Sequence, residues 1–341
     1  MSPEGDIPLP ATTNDEERGS LECEAVSTTE SAERIEQPPA EEEASILGTL
    51  ARLGLLAMTE YNGQSIFSLA YVQALGCLIM GFALRLREPI GQFYGPFYTA
   101  LTTGFCGSLT TFSSWQTDIF DSWINNENNR RSGFHSFIDG LGKSVFTLSF
   151  SLASVSFGYN MANLIAPYLP TFKFPRKAVR YSWTVLAVCM YAAVFPAYFQ
   201  TSERIRCAAT AALLFAFPGA LTRYLLGIWL NQRSRALPLG TLFANLFGTA
   251  LLGGLHVLQG LPNAVSPNAC CILQGLGDGY CACLTTVSTF AAEMRDLKWW
   301  KAVRYCIISW GAGQLLLVLI VGSSMWAGGV AKEATCSYHG S

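Results

Sequence analysis

The chain is poor in charge. Only 13% of its 341 residues are Asp, Glu, Lys or Arg, where soluble domains carry about a quarter. It has just three histidines. It has no GxSxG elbow, no phosphate-binding glycine loop and no pair of carboxylates within an apolar run. These absences leave little on which to build an active site, and the chain does not read as an enzyme. Cys281-Ala282-Cys283 lacks a second ligand pair, which disfavours a zinc site. Most of the eleven cysteines, among them Cys77, Cys106, Cys189, Cys281 and Cys306, fall in apolar runs. They read as small apolar residues rather than a disulfide framework. Nothing points to a nucleic-acid partner.

What is present is unevenly spread. Half of the residues are hydrophobic and mean hydropathy is +0.30, which excludes a single water-soluble globule. Residues 1–45 hold 13 of the 24 acids and only two of the 22 bases, Arg18 and Arg34. The remainder therefore has 11 acids against 20 bases, a net of +9. The tail, taken as 1–44, lacks aromatics and is rich in Glu, Ser, Thr and Pro. Such a segment cannot bury enough apolar surface to offset chain entropy and is expected to be disordered. It has no basic start and no apolar core, so it is not a secretory signal.

A bilayer-crossing helix needs about 20 mostly apolar residues. Nine segments qualify: 45–61, 65–85, 92–123, 139–165, 181–201, 206–230, 238–258, 265–294 and 303–328. The third and eighth are too long for plain helices and contain GFCGSLTT (104–111) and GYCACLTT (279–286). Gly and paired Thr at membrane depth suggest broken helices, although paired Thr also serves as helix-packing polarity. With the tail on one side, that side receives twelve loop bases and the other receives six. The positive-inside rule then puts the tail in the cytosol and the C-terminus outside.

The two long segments align without gaps, GFCGSLTTFSSWQTD (104–118) on GYCACLTTVSTFAAE (279–293). LGTLARLGLL (47–56) resembles PGALTRYLLG (218–227), which pairs Arg52 with Arg223. YVQALGCLIMG (71–81) resembles FANLFGTALLG (243–253), which pairs Gln73 with Asn245. Phe150, Ser154 and Gly158 pair with Tyr305, Ser309 and Gly313 at helical spacing. Each half is thus a four-helix unit, 45–165 and 206–328, joined through 166–205 and followed by a short tail, 329–341. Four is even, so the single helix between the halves inverts the second unit. The expected fold is an all-α membrane protein of two inverted four-helix repeats around one linker helix (4+1+4). Its site should lie at the repeat interface near the midplane.

Polar groups at membrane depth are costly, so each is a candidate. Arg52 and Arg223 either snorkel to an interface or draw anions into a vestibule. Asn245 either glues helices together or turns its amide N–H to a pore. Phe112 and Trp115 pair with Val287 and Phe290. Such aromatics are usually core, but a ring edge is electropositive and can favour a small anion. Asp118, Asp278 and Glu293 read as helix-end or loop residues. No chain of Asp, Glu or His forms a proton relay.

GFCGSLTTFSSW and GYCACLTTVSTF look like the third-helix signature of the Fluc/FEX fluoride channels. LPLGTLFANLFGTALLG (237–253) resembles that family's second helix with its pore Asn, and ALTRYLLG (220–227) the end of its first. The resemblance covers about 45–328, and the 4+1+4 layout resembles the single-chain eukaryotic FEX form. It implies a double-barrelled channel with a central structural Na⁺ held by backbone carbonyls, here those of Gly107, Thr110, Ala282 and Thr285. The family's Gly is Ala282 in this chain. It also implies that Asn245, Phe112, Phe290, Ser113, Thr289, Tyr305 and Ser309 line a fluoride pore. Gln73, Trp115, Val287 and Ser154 would mark a second, degenerate one. The implied protein is a passive fluoride channel of the plasma membrane that exports fluoride from the cytosol as a monomer. The alternative is a proton- or sodium-coupled small-anion transporter on the same repeats.

Overall fold

Apolar side chains cover the outside of this molecule and polar ones fill much of its inside. Phe134, Phe157, Leu164, Phe199, Ile307 and Leu319 are exposed, while Arg52, Gln73, Gln116, Asn245 and many Ser and Thr residues are buried. That inversion suits a protein whose solvent is lipid. The computed structural model describes residues 38–59, 67–126, 130–168, 177–202, 205–234, 237–262, 265–328 and 330. Of the acidic tail expected to be disordered, 1–44, residues 38–44 instead open a helix, and residues 1–37 lie outside the described residues. Of the expected C-terminal tail, 329–341, residues 329 and 331–341 lie outside them as well.

The described residues form helices and contain no strand. They are α1 (Pro38–Thr59), α2 (Ser68–Arg85), α3 (Arg87–Thr99), α4 (Phe112–Ile124), α5 (Gly133–Ile165), α6 (Lys177–Gln200), α7 (Ala211–Asn231), α8 (Leu239–Gln259), α9 (Pro267–Gly275), α10 (Val287–Asp296) and α11 (Trp299–Leu317). Among the described residues, three helical stretches are long and apolar enough to cross a membrane: Ala211–Asn231, Leu239–Gln259 and Trp299–Trp326. Apolar runs at Ala44–Thr59, Leu69–Arg85 and Val188–Gln200 are shorter. Four of the others, α3, α4, α9 and α10, are short because a helix break bounds each of them, with 13, 13, 9 and 10 residues.

Two of the sequence's long apolar segments break in the same way. α3 passes into a π-helical stretch, Ala100–Cys106, and one α turn, Gly107–Leu109. Thr110 and Thr111 are then extended (φ −98°, ψ 145°; φ −138°, ψ 123°) before α4 begins. α9 passes through Leu276–Cys281 and Ala282–Leu284 to extended Thr285 and Thr286 before α10. π-turns of this kind concentrate at functional sites.

Packing is reciprocal between halves. α2 and α5 of the first half meet α10, and α8 and α11 of the second meet α4. Within the halves the packing differs. A methyl group added at Gly81 would overlap the Val155 carbonyl, and one at Gly158 the Leu78 carbonyl. Only glycine allows α2 and α5 to approach so closely. Gly253 of α8 instead faces the side chains of Leu317, Val321 and Ile320 at 3.2–3.6 Å.

Two sequence expectations need correction. Cys207 and Cys271 form a disulfide, because the turn that leads into α7 packs on α9. Phe150 is not equivalent to Tyr305: Phe150 is 37% exposed beside Phe146, whereas Tyr305 is fully buried. The helix faces match at Ser154 and Gly158 and diverge one turn earlier.

Candidate ion pathway

The two breaks meet and cap each other. A helix start leaves amide N–H groups without partners, and here the other half supplies the acceptor. Thr285 Oγ1 accepts from the Phe112 and Ser113 amides at 3.2 and 3.1 Å. Thr110 Oγ1 accepts from the Val287 and Ser288 amides at 3.3 and 3.0 Å. Each hydroxyl donates to the carbonyl four residues back, at Cys281 and Cys106, both at 3.0 Å. Thr111 and Thr286 cap their own helices through the Ser114 and Thr289 amides. Ser113 joins this hydroxyl cluster, 3.0 Å from Thr285 Oγ1, and Ser288 joins it 3.0 Å from Thr110 Oγ1. Thr289 Oγ1 accepts from Thr286 Oγ1 at 3.4 Å.

One amide from each half clasps a break. Asn245 Oδ1 accepts from the Thr286 amide at 2.8 Å, and its Nδ2 donates to the Thr286 carbonyl at 3.2 Å. Gln73 does the same to Thr111, accepting at 3.2 Å and donating at 2.6 Å. The extra methylene of Gln73 does not change the clasp. What separates the halves lies around it.

Arg52 and Arg223 are both buried. Arg52 donates to the Ser108 carbonyl at 2.6 Å and to the Asp278 carbonyl of the other half. Arg223 donates to the Thr103 carbonyl across the interface, and its guanidinium lies against Gly107. The two guanidinium groups thus bind the breaks across the repeat interface. Neither reaches an exposed mouth by snorkelling.

Around α8, α4 and α11 the side chains form a polar column. At one end Glu293 accepts from Thr241 Oγ1 at 2.6 Å and from the Tyr305 hydroxyl at 2.7 Å. Both hydroxyl protons are therefore committed to the carboxylate, and Tyr305 presents its ring to Phe290, 4.9 Å between centroids. Phe290 and Phe112 follow edge to face at 5.6 Å, one from each half. Ser309, fully buried, lies one turn beyond Tyr305 on α11. Beyond it Gln314 of α11 bonds Gln116 of α4. A cavity of about 270 Å³, lined by Asn231, Ser234, Glu293 and Asp296, opens at the Glu293 end. Another of about 250 Å³, lined by Asp121, Asn126, His256 and Gln259, opens at the opposite end.

The corresponding space around α2, α10 and α5 is filled differently. It holds Trp115, whose indole donates to the Lys143 carbonyl at 3.4 Å, and Val287. Asp118, the counterpart of Glu293, pairs with Lys143 at 2.7 Å. Arg295 covers the Tyr159 ring at 3.6 Å. Sequence reasoning missed Glu293, Thr241 and Gln116. Glu293 and Asp118 align as acids and read alike as helix ends. The signal that separates them is the pair of hydroxyls, Thr241 and Tyr305, which align in sequence with Leu69 and Phe150 of the first repeat.

A family model described as CrcB-like protein, Camphor Resistance (CrcB), matches the chain twice, over residues 44–159 and 210–322. The chain belongs to this family. Both CrcB matches contain a complete break, and the linker helix α6 lies between them. Fluoride export protein 1 of Neurospora crassa is 33% identical over 345 residues, which cover 84% of this chain. The chain spans about two thirds of that protein's length, 66%. Fluoride export protein 1 of Schizosaccharomyces pombe is 33% identical over 302 residues, 85% of this chain and 96% of that protein. A bacterial relative, the fluoride-specific ion channel FluC of Albidiferax ferrireducens, is 41% identical over 92 residues, 27% of this chain and 67% of its own. No solved structure matches the chain.

Proposed function

We propose that this protein is a passive fluoride channel that exports the ion from the cytosol through one working pore. The observation that carries the reading is the column between two cavities, in which the phenylalanine ring edges, the Ser309 hydroxyl and the Gln116 amide follow one another beyond the Glu293 carboxyl at its mouth. Fluoride is small and accepts strong hydrogen bonds, so such groups can replace its water in steps. Conduction needs sites weak enough to release the ion, and the two buried guanidinium groups are engaged on backbone carbonyls instead. The named activities of the fungal export proteins and of bacterial FluC support the same reading.

The working pore is assigned to Asn245, Phe112, Phe290, Tyr305 and Ser309, with Ser113 and Thr289 beside it. The space that contains Gln73, Trp115, Val287 and Ser154 is assigned as closed. The assigned topology is 4+1+4, in the plasma membrane, with a cytosolic N-terminus. The Cys207–Cys271 disulfide supports this orientation. It belongs to the end of the molecule opposite the loop after α7, and disulfides persist on the oxidising side.

A central Na⁺ is proposed with it, and the donor chemistry fits. In a continuous helix the Gly107 and Ala282 carbonyls would accept from the Thr111 and Thr286 amides, which Gln73 and Asn245 take instead. The Thr110 and Thr285 carbonyls would accept from the Ser114 and Thr289 amides, which turn to threonine hydroxyls. Unwound carbonyls of this kind coordinate Na⁺ in other membrane proteins. Arg223 beside Gly107 places a like charge nearby, so oxygen ligation and not net negative charge would hold the ion. Its contribution would be structural, fixing one break to the other.

Fluoride efflux from liposomes, followed with a fluoride electrode, tests the function. The wild-type protein should conduct with no pH or Na⁺ gradient imposed. Efflux that requires either gradient would favour the coupled transporter.

A further inference from the structure

Gln116 stands on α4 one turn beyond Phe112, and it is fully buried. Gln314 Nε2 donates to the Gln116 carbonyl at 2.9 Å and to Gln116 Oε1 at 2.8 Å. The first bond fixes the Gln314 amide, because only its nitrogen can donate to a carbonyl. The second then fixes Gln116, whose oxygen must face that nitrogen. Gln116 Nε2 is therefore directed away from Gln314. It is buried and has no hydrogen-bond partner in the protein.

Ser309 Oγ is also buried and without a partner. It lies one turn from Gly313 on α11, and a methyl group at Gly313 would press on Gln116 Oε1 at 3.0 Å. Amide and hydroxyl thus belong to facing helices at successive turns of the column, between the phenylalanine pair and the cavity at Asp121 and His256. Buried donors are normally paired, so two unpaired ones along one column ask for an acceptor that the protein does not supply. Neutral donors suit an acceptor that must pass on. A small, hard, partly dehydrated anion meets both requirements.

We propose that Gln116 Nε2 and Ser309 Oγ form a fluoride subsite on the exit side of Phe112 and Phe290, an inference that rests on the channel reading above. Ala291 occupies the position of Gln116 in the second repeat, so the other column lacks this amide. Gln116 is then a specificity residue for the proposed conduction.

The test is fluoride efflux from liposomes that hold the wild type, Q116E, Q116M or Q314M, each first shown to elute as one species with an unshifted melting temperature. Q116E keeps the oxygen that Gln314 bonds and exchanges the donor for a carboxylate oxygen, which also adds charge. Q116M removes the donor without adding charge. Loss of one hydrogen bond to an ion predicts roughly tenfold or lower flux in both variants, while Q314M, which keeps Nε2, loses less than either. Wild-type flux in Q116E and Q116M, or a larger loss in Q314M than in Q116E, would assign Gln116 to packing alone and overturn the proposal. If Q116E does not assemble, the order of Q116M and Q314M decides. A wild type that carries no fluoride overturns the channel reading itself, and the subsite falls with it.

Discussion

Gln73 clasps Thr111 just as Asn245 clasps Thr286, yet the two columns beside these clasps have diverged. Around α8, α4 and α11 stand Thr241, Glu293, Tyr305, Ser309 and Gln116, with a cavity at each end. Around α2, α10 and α5 stand Leu69, Trp115 and Val287, and two glycines bring α2 and α5 backbone to backbone. The shared parts are those that hold a broken helix together in lipid. Extended threonines expose backbone groups, and each group must find a partner inside the protein. Reciprocal caps, amide clasps and the two arginines provide those partners in both halves. Selection for fold keeps them whether or not a column conducts. The parts that differ lie beside the clasps, where the side around α2, α10 and α5 holds aromatic and apolar side chains.

This comparison can be broken by substitutions at matched positions. The largest effect is expected at the glycine crossing of α2 and α5. Gly81→Leu would force a side chain into the Val155 backbone, and overpacking of this kind costs about 1–3 kcal/mol or more. A shift from one species to aggregate in size-exclusion chromatography should report it. Gly253→Ala faces only side chains, and its elution profile should stay unchanged. Equal behaviour of the two variants would remove the packing difference between the halves.

Next come the clasps. Gln73→Met and Asn245→Met each leave a buried amide N–H and carbonyl of a threonine unsatisfied. That costs about 1–3 kcal/mol per group. Both should lower the melting temperature by similar amounts, and Gln73→Asn by less. A silent Gln73→Met would return Gln73 to the status of a decayed pore residue. The caps should matter less. Thr110→Val and Thr285→Val each remove an acceptor from the start of the other half's helix, worth ~0.5–2 kcal/mol. The two losses should match, since the caps do. Replacement of Na⁺ by a large organic cation should give the smallest shift, a modest fall in melting temperature. No change at all would count against the carbonyl site.

Much of this plan was legible in the sequence. The two GxxxxLTT runs aligned without gaps, and their Thr pairs mark the breaks that the structure contains. The pairs Arg52 with Arg223 and Gln73 with Asn245 also occupy equivalent places. Their roles were harder to read, because a side chain's type does not say where it points. The arginines reach carbonyls of the other half, and partners some 120 or 226 positions away leave no local pattern. Gln116 meets Gln314 and Gly313 of the other half from a position that the repeat alignment marks only as Gln against Ala. The Cys207–Cys271 disulfide joins residues 64 apart, and only the packing of the turn before α7 on α9 brings them together.

The central claim is that one column conducts and the other does not. Fluoride efflux from liposomes should be compared for Ser309→Leu and Ser154→Leu, which place the same bulk at equivalent positions in the two columns. The account predicts that Ser309→Leu abolishes efflux and that Ser154→Leu retains the wild-type rate. A loss of about half the rate in each variant would show two equal pores and contradict it.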